Sequence, residues 1–180
     1  ALGMLVPAAT GLIQTSPDWQ SFIIGACITG FFAVALILTS RGEFRPLTVK
    51  QAFVLTGFSW LALTAFAALP LNFSLIGLTY TDSFFEAMSG LTTTGATIII
   101  ELDKTPPEIL LWRAMLQWFG GIGIIVMAIS VLPMLNVGGM QLFRLESSDN
   151  SEKILPRATE IAGSIAKIYL LISLLCAFAL

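Results

Sequence analysis

Asp82-Ser83-Phe84-Phe85-Glu86-Ala87-Met88-Ser89-Gly90, continued by Leu91-Thr92-Thr93-Thr94-Gly95-Ala96-Thr97 and Ile98-Ile99-Ile100, is the stretch on which the fold turns. It starts with an acid and a hydroxyl suited to capping a helix and reaches a glycine suited to ending one, which predicts a short helix over 82–90. The threonine run that follows, taken alone, also fits an extended segment with a turn at Gly95 and no further role. Its surroundings decide between the two.

Those surroundings are apolar. The 180 residues are 56% hydrophobic and 11% charged, with a mean hydropathy of +0.89, whereas ordinary soluble domains carry roughly 25% charged residues. Residues 20–39 and 52–69 hold no charge, and about 20 residues at ~1.5 Å rise cross a hydrocarbon core of roughly 30 Å. The second of these is expected to end at Pro70. A third uncharged helix follows Pro106-Pro107-Glu108, whose proline and acid suit a helix start, and runs over about 109–132 with Arg113 able to snorkel from its first turns. A fourth is expected from about Ser164. Residues 1–13 are short for a span and a poor signal peptide, and both chain ends read as cut.

Orientation follows from the basic residues. Arg41, Arg45 and Lys50 flank one connection, and Arg144, Lys153, Arg157 and Lys167 follow the third helix, so these face the cytoplasm. Asp18, and Glu101, Asp103, Lys104 and Glu108, mark the outer side. Residues 70–108 then have both ends outside and cannot cross an odd number of times. A solvated loop of that length would expose Phe84–Met88 and Leu91–Ile100, which are largely apolar. A re-entrant segment reconciles topology with hydropathy, and the expected architecture is an all-α membrane protein with a re-entrant pore helix and filter loop.

Such a placement gives the threonine run a chemistry. Backbone without helical bonds is tolerated at membrane depth only where protein buries it or water lines it. Glycine allows the positive φ that turns successive carbonyls toward one axis, and threonine adds hydroxyl oxygens, together able to replace an alkali cation's hydration shell. The C-terminal end of the short helix, with the negative end of its dipole, also favours a cation. Thr93, Thr94 and Gly95 are the expected main ligands, with Thr92 and Ala96 at the margins.

The same residues carry a family resemblance. Phe84 to Thr97, then Leu111-Trp112-Arg113, Gln117-Trp118-Phe119-Gly120-Gly121-Ile122-Gly123-Ile124 and Val137-Gly138-Gly139-Met140-Gln141-Leu142-Phe143-Arg144 resemble the TrkH-type potassium transport subunits of the Trk/Ktr/HKT superfamily. The resemblance implies potassium uptake across the bacterial inner membrane through four similar pore loops in one polypeptide, each built around a glycine like Gly95. It further implies a dimer of pore subunits and a cytoplasmic nucleotide-binding regulatory partner. On this pattern, residues 1–50 are additional N-terminal helices, 51–135 the first pore repeat, 136–163 a cytoplasmic linker and 164–180 the start of the next repeat. The departure is that only one Thr-Thr-Gly loop is present, and one loop cannot surround an ion.

Other residues leave alternatives open. Glu86, an acid at membrane depth, is a functional candidate by default: it supports the filter from behind, with Arg113 a possible partner, or faces an outer vestibule as a solvated acid. Gly120, Gly121 and Gly123 read as close helix packing or a hinge. The polar stretch 136–163 reads as a solvated linker with a short interfacial helix, or as a docking surface for the regulator. Cys27 and Cys176 lack a redox or zinc spacing and read as small packing residues. The four tryptophans read as interface anchors or packing residues. With no histidine, His-based metal sites and Ser-His catalysis are excluded, and no basic run suggests nucleic acid. No cofactor is expected, potassium being the cargo. Two competitors remain, a non-conducting membrane scaffold or assembly subunit, and a membrane-embedded enzyme built on Glu86, Asp82 and Arg113.

Overall fold

The computed structural model describes residues 1–40, 48–131 and 154–179, and among these every regular element is helical. A 3₁₀ turn, Leu2–Met4, leads into α1 (Leu5–Ile13); α2 is Trp19–Thr39, α3 Val49–Phe73, α4 Tyr80–Leu91, α5 Pro107–Val131 and α6 Ile154–Ala179. The chain divides into two compact units, Ala1–Leu47 with Val54–Gly121, and Thr48–Phe53 with Ile122–Leu180.

The first unit is held by small residues where helices cross. Gly25 of α2 sits against Pro70 of α3, where a Cβ would come within 3.2 Å of the proline ring. Sequence reading ends α3 at Pro70, yet the helix continues to Phe73 with the proline inside its last turns. Neighbouring helices supply donors on both sides of that break. Trp112 Nε1 donates to the Ala67 carbonyl at 3.0 Å, and Ser21 Oγ donates to the Phe73 carbonyl at 2.8 Å. Phe22 meets Trp112 edge-on at 6.1 Å, which makes Trp112 a buried packing residue. Phe22, Ala68, Leu71, Ala87, Ile109 and Leu116 complete the apolar centre around it.

The link between α1 and α2 is polar, and Asp18 at its end is buried. Asp18 accepts the backbone N–H of Leu75 at 2.7 Å, and Ser16 Oγ donates to Glu108 at the start of α5. Glu108 is wholly buried, and its second carboxylate oxygen has no hydrogen-bond partner among the described residues.

In the second unit, Thr48 and Gln51 cap α3 reciprocally, as Thr48 N donates to Gln51 Oε1 at 3.0 Å and Gln51 N donates to Thr48 Oγ1 at 3.3 Å. Its helix α6 starts at Ile154, about ten residues before the expected Ser164, so part of the expected linker is helical. The Arg41–Pro46 link and the Val137–Arg144 motif lie outside the described residues.

Among the described residues two helices are long and apolar enough to cross a membrane, Trp19–Thr39 with mean hydropathy 2.4 and Lys50–Phe73 with 1.8. Large apolar side chains stand exposed along them, Phe31, Ile37 and Phe58 among these, as suits contact with lipid or further protein. Cys27 and Cys176 are free and exposed on α2 and α6 rather than packed within this chain.

Candidate ion-filter site

Thr79, not Asp82, caps the short helix. Thr79 Oγ1 accepts from the Asp82 N–H at 3.2 Å while Asp82 Oδ2 accepts from the Thr79 N–H at 3.3 Å, a capping box one turn earlier than expected. Asp82 is therefore committed to the cap, separate from Glu86 and Arg113. On the inner face of α4, Ser83, Glu86, Ala87 and Gly90 are all buried, three and four residues apart as one helical face requires.

At its C-terminus α4 folds the threonine run back onto itself. The Thr92 N–H donates to Met88 O at 2.8 Å, Thr93 N–H to Gly90 O at 2.9 Å, and the Thr94 and Gly95 N–H groups to Ser89 O at 3.0 and 3.3 Å. Ser89 Oγ then donates to Ala96 O at 2.6 Å. The carbonyls of Thr92, Thr93, Thr94 and Gly95 accept none of these bonds. Thr93 and Gly95 take φ of +60° and +75°, left-handed backbone that glycine adopts freely and a β-branched residue adopts only under strain. Thr93 through Ala96 are exposed, on a chain whose neighbouring helix face is buried.

Glu86 and Arg113 fasten the return of the loop. Arg113 Nε donates to Glu86 Oε1, with the arginine side chain 15% exposed and the glutamate side chain 0%. Glu86 Oε2 accepts the Ile98 N–H at 3.1 Å. Glu86 is thus a buried tie and not a solvated vestibule acid, and Arg113 turns to it instead of snorkelling. Beyond it, Ile98, Ile99 and Ile100 line an open cavity of about 300 Å³ with Ile76, Leu78 and Pro106. Glu101, Lys104 and Thr105 complete its lining, with Lys104 paired to Glu101 at 2.9 Å.

Helix α5 backs the site through small residues. A Cβ on Gly120 would overlap the Leu91 carbonyl, and one on Gly90 would come within 3.1 Å of Leu116 Cβ. Gly120 therefore serves close packing, the first of its two readings.

The model of the family described as "TrkH: Cation transport protein" matches residues 19–180. The chain belongs to the TrkH family. This TrkH-family chain is 41% identical to the Trk system potassium uptake protein TrkI of Halomonas elongata, over 99% of its own length and 36% of that protein. It is 42% identical to the Trk system potassium uptake protein TrkH of Escherichia coli K12, over 98% of its length and 37% of that protein. The crystal structure of the potassium transporter TrkH from Vibrio parahaemolyticus superposes with a TM-score of 0.81 at 32% identity, covering 99% of this chain and 35% of that one. The chain thus spans a little over a third of the length of these relatives, and its fold is that of a helical membrane transporter.

The structure brings Glu86, Arg113 and the loop Thr92–Ala96 together as one assembly. Sequence reading missed Ser89 and Gln117. Ser89 lies three residues after Glu86 on the same helix, a spacing that marks it as facing the loop, and Gln117 lies four after Arg113.

Proposed function

We propose that this chain forms the first pore repeat, with the helices preceding it, of a potassium uptake protein of the bacterial inner membrane. Helix α4 is the re-entrant pore helix, and Thr92 to Gly95 are its share of a selectivity filter completed by three further loops. The observation that carries this reading is the partition of backbone groups in the loop. The N–H groups of Thr92 to Gly95 are taken by the end of α4, which leaves their carbonyls for a ligand. Backbone oxygens in place of a hydration shell are what an alkali cation requires. Thr93, Thr94 and Gly95 are the main ligands and Thr92 a marginal one. Ala96, whose carbonyl is held by Ser89, closes the filter rather than lining it.

The relatives' names, Trk system potassium uptake proteins, support potassium as cargo. Conduction makes and breaks no covalent bond, and the polar cluster of an alternative enzyme is dispersed, since Asp82 caps α4. In the whole protein we expect several membrane crossings, contact with lipid, a dimer of pore subunits and a cytoplasmic nucleotide-binding regulator. The test is potassium-limited growth of uptake-deficient cells expressing the full gene with Gly95→Ser. Lost or less selective uptake at normal protein levels is expected; unchanged potassium selectivity and rate sinks the filter assignment in favour of a scaffold.

A further inference from the structure

The loop is fastened almost entirely from one side. Four N–H groups and the Ala96 carbonyl bond to α4, and Ile98 bonds to Glu86 of α4. From α5 the approach to Gly95 is different. A Cβ built on Gly95 would lie 3.5 Å from Nε2 of Gln117, the one neighbour within 4 Å among the described residues. Gln117 is half-buried, and its carboxamide joins none of the hydrogen bonds among the described residues. It stands on the α5 face defined by Arg113, four residues before, and Gly120, three residues after. Both are pinned, one to Glu86 and the other against the Leu91 carbonyl. The backbone that carries Gln117 is therefore fixed on either side of it.

We propose that Gln117 is a positioning residue for ion specificity: its carboxamide bounds the space beside Gly95, within van der Waals reach of where a Cβ would stand, and so limits how far the Gly95 peptide retracts and the radius at which the filter meets an ion. This rests on the filter reading and adds to it. Glycine has the widest backbone freedom of any residue, and Gly95 has no side chain with which to wedge itself in place. Discrimination among alkali cations depends on the spacing and stiffness of the coordinating oxygens. A stop on a rigid helix supplies the stiffness that Gly95 lacks.

The experiment places Gln117→Ala, Gln117→Met and, separately, Gly95→Ser in the full-length transporter, reconstituted in liposomes. Potassium and sodium uptake are measured with apparent KM, maximal rate and thermal unfolding. Gln117→Ala is expected to lower the potassium-over-sodium preference by about three- to tenfold, the factor that corresponds to roughly 1 kcal/mol, without changing thermal unfolding. Gln117→Met, of similar length, is expected to restore it. Equal slowing of both ions with unchanged preference overturns the proposal, as does a methionine variant no better than alanine. Should Gln117→Ala not accumulate, Gln117→Asn shortens the stop by one methylene and is expected to give a smaller loss in the same direction; wild-type preference there overturns the proposal. Altered preference in Gly95→Ser with none in the Gln117 variants removes the stop alone. No change in Gly95→Ser removes the filter reading itself.

Discussion

Glu86 divides its two carboxylate oxygens between Arg113 on α5 and the backbone N–H of Ile98 at the exit of the loop. One buried side chain thereby fixes α4, α5 and the segment leaving the loop at a single point. Removing one member of a buried pair leaves the other charge uncompensated, at a cost of about 3–5 kcal/mol.

Arg113→Ala and Glu86→Ala are each expected to lower the thermal unfolding temperature of the full-length protein in detergent and to abolish uptake. The double variant is expected to be less destabilised than the sum of the singles, because no unpaired charge remains. Strict additivity in that double-mutant cycle counts against the tie. Arg113→Lys is expected to rescue poorly, since an ammonium lacks the fixed fork of the guanidinium.

Thr93 and Gly95 present opposite backbone problems at similar φ. At Gly95, alanine is expected to cost roughly 1–2 kcal/mol through its left-handed φ of +75°. At Thr93, glycine removes a comparable strain at φ +60°. Thr93→Gly is therefore expected to leave thermal stability unchanged or raised and, on the proposed filter reading, to loosen ion preference by freeing a carbonyl that the strained conformation holds. Paired unfolding scans and potassium/sodium competition assays check this. A Thr93→Gly protein that is clearly less stable contradicts it.

Gly120→Ala is expected to reduce folded protein sharply, since its Cβ would overlap the Leu91 carbonyl and neither backbone has a rotamer through which to yield. Gly57 has open space around it, and Gly57→Ala serves as the comparison on an apolar helix. Size-exclusion profiles of the two in detergent separate the cases, and indistinguishable profiles refute the close approach.

The apolar helices were legible from length and lack of charge, because a bilayer imposes both. So was the loop, because Gly90, Gly95 and three threonines interrupt an apolar pattern in one place. What the sequence hid depended on partners distant along the chain. Pro70 looked terminal because Trp112 and Ser21, which donate to the Ala67 and Phe73 carbonyls on either side of it, lie 45 and 52 residues from those acceptors and appear only on packing. Thr79 was overlooked as a cap because Asp82 itself looked like one, although it is the N3 partner of the same box. Ala96 read as a marginal ligand, and the bond that Ser89 Oγ donates to its carbonyl comes from a side chain, which no backbone pattern announces.

Glu108 poses the least expected test. It read as an ordinary acid at a helix start, yet it is wholly buried, and among the described residues Ser16 Oγ, 92 positions away in sequence, is its single hydrogen-bond partner. Ser16→Ala strips that partner from a buried carboxyl group and is expected to cost about 1–3 kcal/mol, the penalty of an unmade bond. Replacing both groups by apolar ones, Ser16→Ala with Glu108→Met, removes the polar atoms along with the need to satisfy them and is expected to be closer to wild type than Ser16→Ala alone. Thermal unfolding of the three proteins in detergent decides it. A double variant less stable than Ser16→Ala would mean that Glu108 holds α5 through a contact other than this hydroxyl.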